Sequence, residues 1–177
     1  MNRELADIVS AAGESLGGIQ INQPRSLDVF SPLAQLVKFN EDFGHLDLRV
    51  ILQIKPYAFP TTKKLVEWLM PYTPYISDIL LDMSLGLGKQ LTPDDAKRFL
   101  MILKAIHRKA NSLGLGVAGG LADDNLSLLA DLFKEFPSLN IDAETRLRDR
   151  HDNFDLDKAS RYIINAFKMS NQYRHIP

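Results

Sequence analysis

Short apolar runs alternate along this chain with longer stretches whose apolar residues recur every three or four positions, the pattern of consecutive βα units around a parallel sheet. Five such units are predicted. An opening helix over roughly residues 3–12 puts Leu5, Ile8 and Val9 on one face, and the glycines from Gly13 to Gly18 break it before a first strand at Ile19–Asn22. Gln23-Pro24-Arg25 turns the chain into a helix over about residues 32–40, and the second strand, residues 49–55, is closed by Pro56 and Pro60. A helix capped by Thr61 or Thr62, with Leu65, Trp68 and Leu69 on its buried side, leads to a third strand over residues 78–84. The loop Leu85-Gly86-Leu87-Gly88-Lys89 precedes a long helix with Thr92 as N-cap, Asp94 and Asp95 in its first turn and Lys104, His107, Arg108 and Lys109 toward its C-terminus at about Ala110. The fourth strand, residues 115–118, ends in Gly119-Gly120. A helix over about 124–136 is stopped by Pro137, and the fifth strand spans 139–144. An amphipathic helix over about 156–167, with Ala159, Ile163 and Phe167 at helical spacing, comes last, and residues 169–177 read as a C-terminal tail.

Residues two apart on a strand share a face, so each strand can be divided into a helix-facing set and a set facing the other way. Ile19 and Ile21 oppose Gln20 and Asn22; Val50, Leu52 and Ile54 oppose Ile51, Gln53 and Lys55. Ile79, Leu81 and Met83 oppose Leu80, Asp82 and Ser84, and Leu139, Ile141 and Ala143 oppose Asn140, Asp142 and Glu144. Four strands thus offer one apolar face and one that turns polar toward the carboxyl end, where parallel α/β sheets bind ligands. Gln20, Asn22, Gln53, Lys55, Asp82, Ser84, Asp142 and Glu144 are expected to converge there, because burying several charged groups without a ligand to meet them is costly.

Composition narrows the partners. The 177 residues suit one domain, and 45% hydrophobic with 24% charged residues is ordinary for a folded chain. A formal net charge of -1 provides no large basic field, so nucleic acid and anionic membranes are not expected partners, while a small anionic ligand stays compatible because local charge can differ from net charge. The absence of cysteine excludes disulfides, thiolate metal sites and thiol nucleophiles, and it fits a cytoplasmic protein. The N-terminal sequence carries no plain signal peptide, and no segment approaches about 20 apolar residues in a row, so no membrane span is expected.

Leu80-Leu81-Asp82-Met83-Ser84, the loop ending Gly88-Lys89, Val117-Ala118-Gly119-Gly120-Leu121 with Asp124-Asn125 after it, and Asn140-Ile141-Asp142 together resemble phosphoribosylanthranilate isomerase, a (βα)8 barrel of tryptophan biosynthesis. Ile19–Asn22 resembles that family's fourth strand and Val50–Lys55 its fifth. The resemblance implies a TIM-barrel-like α/β fold, here an incomplete barrel of about five strands in a single domain over 1–177. It implies that Asp82 is the general acid that helps to open a furanose ring. Gly119 and Gly120 would admit a substrate phosphate, with Arg146 or Arg148 supplying charge, and Lys55 would be the electrostatic partner of Asp82. The chain departs from the family in lacking its cysteine base and counterparts of its first three strands. Two functional readings follow. One is an aldose-ketose type isomerase, or a related lyase, acting on a small phosphorylated sugar-like compound; the other is a non-catalytic ligand-binding or split-barrel subunit. Unpaired outer strands further predict a homodimer.

The remaining motifs change little. Gly86-Leu87-Gly88-Lys89 lacks the spacing of a nucleotide-binding loop, and Lys89 is read as a ligand-contacting residue instead. His45, His107, His151 and His175 lack metal-ligand spacing, and Asp149, Asp152, Asp155 and Asp157 form no calcium loop and are assigned to capping of the last helix. No metal or cofactor is expected.

Overall fold

The computed structural model describes residues 11–13, 16–22, 41, 48–84, 90–110 and 113–174, with backbone only for 107–110 and 174. Apart from residues 11 and 12, which are helical, the predicted helices over 3–12 and 32–40 lie outside the described residues, as do the loop 85–89 with Lys89, and His45 and His175. The strands are β1 (Gly18–Asn22), β2 (Arg49–Ile54), β3 (Asp78–Asp82), β4 (Gly114–Ala118) and β5 (Asn140–Asp142). Between and after them run α1 (Thr62–Leu69), α2 (Pro93–Ala110), α3 (Ala130–Glu135) and α4 (Leu156–Arg174). All strand pairs are parallel, and the sheet order is β1-β2-β3-β4-β5. The helices α1, α2 and α3 pack on one side of this sheet, through Leu65 and Leu69, Leu100 and Leu103, and Leu132 and Phe133. The result is an α/β fold of parallel βα repeats whose open sheet is consistent with an incomplete barrel.

The division by strand parity is realised. Val50, Leu52, Ile54, Ile79, Leu81, Met83 and Val117 are buried in one apolar core with Leu65, Leu69, Leu100, Leu103, Leu132 and Phe133 from the helices. The opposite face carries Gln20, Arg49, Ile51, Asp78, Leu80, Gly116, Asn140 and Asp142. Helix α1 starts where expected: the Thr61 hydroxyl accepts from the Lys64 amide at 3.2 Å. Trp68 packs between Phe59 and Tyr72, at ring distances of 5.3 and 4.6 Å.

Beyond shifts of one or two residues at the ends of β1 to β4, three differences from the sequence reading have a clear cause. Strand β5 has three residues rather than six, because Thr145–Leu147 already forms a 3-10 turn. The helix predicted over about 124–136 begins as a 3-10 segment, Leu126–Leu129, ahead of α3, because the Asn125 side chain accepts from the Ala122 amide and holds the preceding residues in a turn. The tail placed after Met169 is corrected: α4 continues through Arg174. Ser170-Asn171-Gln172 reads as a polar ending, but Met169 and Tyr173 extend the packed stripe of Ala159, Tyr162 and Ala166, and Tyr173 stacks on Phe133 at 6.3 Å.

Candidate functional site

A cavity of about 340 Å³ opens at the carboxyl ends of the strands. Gln20, Asn22, Gln53, Lys55, Asp82, Ser84, Gly119, Gly120, Asp142, Glu144 and Arg146 all line it. Register explains the convergence. Asn22 is level with Gln53, while Asp82, Ala118 and Asp142 are level with one another on three successive strands. Of the sequence-predicted site residues, only Lys89 is not among these, and it lies outside the described residues. Arg148, an alternative anion contact, is engaged instead with Glu144 and Asp152.

Asp82 is buried and held on both oxygens. One accepts from the Ser84 amide at 2.9 Å and the Ser84 hydroxyl at 2.6 Å; the other accepts from Gln53 Nε2 at 3.1 Å. Gln53 Oε1 accepts in turn from Gln20 Nε2 at 2.7 Å, and that nitrogen also donates to Asn22 Oδ1 at 3.2 Å. Three strands are thereby laced together by amide side chains that fix the orientation of one carboxylate. Across Ala118, Asp142 is in a different position: burial, the negative charge of Glu144 and that of Asp82 raise its pKa above the ordinary 3.8, against a backbone hydrogen bond from Ala143. In such a setting the Asp142 carboxyl is a weaker acid than an exposed one.

Gly119 and Gly120 follow β4 with φ of +137° and +58°. At the first of these a side chain is strained whatever the space around it. The turn is tied from two sides: Asn125 Nδ2 donates to the Gly120 carbonyl at 2.8 Å, and Arg146 donates to the same oxygen at 3.3 Å while pairing with Asp124. The guanidinium therefore stands at the rim of the glycine turn and lines the cavity.

The acidic cluster is a set of turns and caps. Asp149 accepts from the amides of His151 and Asn153, and Asp155 accepts from those of Asp157 and Lys158 at the start of α4. Among the described residues no group of three or more histidines and carboxylates could hold a metal ion, and no helix is long and apolar enough to cross a membrane.

Sequence reasoning missed the amino-end half of the inner face. There Arg49 donates to both oxygens of buried Asp78, at 3.1 Å from Nε and 2.5 Å from Nη2, and Asn140 donates to Asp78 at 3.4 Å. With Gly18, Ile51, Leu80 and Gly116 these residues line a second cavity of about 460 Å³, which shares Gln20 and Asp142 with the first. The signal was present: Arg49 and Asp78 share parity with Gln53 and Asp82. Tyr162 was missed too. Its hydroxyl is buried with no hydrogen-bond partner among the described residues, and burial together with the Asp142 charge pushes its pKa up.

No protein-family model matches the chain, and no curated protein is significantly similar to it.

Proposed function

We propose that the carboxyl-end cavity binds a small phosphorylated, sugar-like compound, with its phosphate against Gly119-Gly120 beside Arg146 and its hydroxyls among Gln20, Asn22, Gln53, Ser84, Asp142 and Glu144. The observation that carries this reading is the convergence on one cavity of polar side chains with a two-glycine turn flanked by an arginine. In the catalytic form of the reading the bound sugar is isomerised, Asp82 handling the proton and Lys55 offsetting the charge that develops, as the resemblance to phosphoribosylanthranilate isomerase and its place in tryptophan biosynthesis suggests. The absence of cysteine supports a cytoplasmic setting.

Calorimetric titration with ribose 5-phosphate and with inorganic phosphate, on the unaltered protein and on Gly120→Asp, tests the binding claim. Weaker binding of both ligands by the variant is expected, because a carboxylate placed at the turn repels phosphate. Equal affinity in the two proteins removes the phosphate role.

One observation favours a second reading, ligand binding without turnover. Both oxygens of Asp82 are already engaged by Ser84 and Gln53, which suits an anchor better than a group that must give up or take a proton. Incubating ribose 5-phosphate with the protein in deuterated water separates the two: isomerisation carries solvent deuterium to the carbon next to the carbonyl, and binding alone leaves that carbon unlabelled.

A further inference from the structure

Eight large hydrophobic side chains are exposed among the described residues, and five of them belong to one helix and its lead-in: Phe154 (61% exposed), Leu156 (72%), Ile163 (53%), Ile164 (52%) and Phe167 (65%). Tyr57, Met70 and Met101, the other three, are scattered over different elements. At 100° per residue, Leu156, Ser160, Ile163, Ile164 and Phe167 fall on one face of α4. The helix packs on the core through another face, made by Ala159, Tyr162, Ala166, Met169 and Tyr173, so the exposed stripe is additional to what the fold uses. A contiguous apolar stripe of this kind marks an interaction surface.

The pattern of the stripe matches itself when reversed. Laid antiparallel about a two-fold axis passing between residues 161 and 162, Leu156 meets the partner's Phe167, and Ile163 meets the partner's Ser160, large against small. Asp157 and Lys168 lie on the same flank of the stripe and are exposed; the same operation brings Asp157 beside the partner's Lys168. A parallel arrangement would instead put this flank on opposite sides of the seam in the two copies, so that Asp157 and Lys168 could not meet. Both the apolar steps and the charges therefore agree with one orientation.

We propose that the exposed face of α4 is a docking surface for a second copy of this chain, which it meets through its own α4, antiparallel, with Asp157 and Lys168 paired across the axis.

Sedimentation velocity over a concentration series, with circular dichroism of each variant as the check on folding, tests this. The unaltered protein is expected to self-associate into a dimer, and Ile163→Lys to weaken that association by about tenfold or more while leaving helicity unchanged. Asp157→Lys alone is expected to weaken it, and Asp157→Lys combined with Lys168→Asp to restore it, since the swap re-forms the pair only in the antiparallel arrangement. A monomer at every concentration overturns the proposal. So does a dimer that is indifferent to Ile163→Lys, or one in which the double variant associates no better than Asp157→Lys.

Discussion

Asp82 and Asp142 stand level on either side of Ala118, yet Asp82 is fastened by Ser84 and Gln53 while Asp142 has its pKa raised by burial, by Glu144 and by Asp82 itself. The sign of the consequence follows from linkage. A carboxyl that binds its proton more tightly in the folded state contributes a stabilisation that is complete below its unfolded pKa and is lost as pH rises through the folded one. Asp142→Asn is therefore expected to be more stable than the unaltered protein at neutral pH, with the advantage shrinking as pH falls into the ordinary carboxylate range. Urea unfolding at a series of pH values checks this; a constant difference across the series would contradict it.

The phenol of Tyr162 is buried with its oxygen unpaired among the described residues, which is costly because that oxygen has given up water without a replacement bond. Tyr162→Phe is expected to be neutral or to stabilise by up to about 1 kcal/mol. A loss of that size in denaturant melts would mean that the hydroxyl has found a partner.

Glycine on the inner side of β4 is a steric requirement at one position more than the other. A methyl group on Gly114 would stand 1.9 Å from Asp78 Oδ1, an atom pinned by Arg49, whereas on Gly116 it would meet the tip of the Leu80 side chain at 3.0 Å. Gly114→Ala is expected to cost about 1–3 kcal/mol and Gly116→Ala less, since a leucine can turn aside and a gripped carboxylate cannot. Thermal melts of the two variants, side by side, decide the order.

At Gly119 the backbone itself forbids a side chain: φ is +137°, and a methyl would lie 3.1 Å from the Ser84 amide nitrogen. Gly119→Ala is expected to destabilise by about 1–3 kcal/mol and to weaken phosphate binding through the displaced turn. A variant that binds phosphate normally would separate this glycine from the site.

What the sequence made legible was whatever obeys a short period. The two-residue alternation of Val50-Ile51-Leu52-Gln53 and of Ile79 through Ser84 assigned the two sheet faces, and with them nearly all of the cavity lining. The rest depends on contacts that no period encodes. Arg49 and Asp78 are far apart in sequence and meet only because the strand register makes them neighbours, and the true end of α4 is set by Tyr173 finding Phe133 on another helix. The extra apolar stripe of α4 was hidden for the opposite reason, because Ile163 and Phe167 look like core residues until a structure shows the core already filled by Tyr162 and Ala159.

The unreversed strand order also governs how the chain reaches its fold. Each strand pairs with the one before it in sequence, so the ladder partners Asn22 and Gln53, Ile54 and Leu81, Asp82 and Ala118, and Ala118 and Asp142 are separated only by the length of one connection. No strand waits for a distant one to be synthesised, and each loop closure costs about the same modest entropy. The sheet can grow from its amino-terminal strand as the chain leaves the ribosome, one βα unit docking on the last.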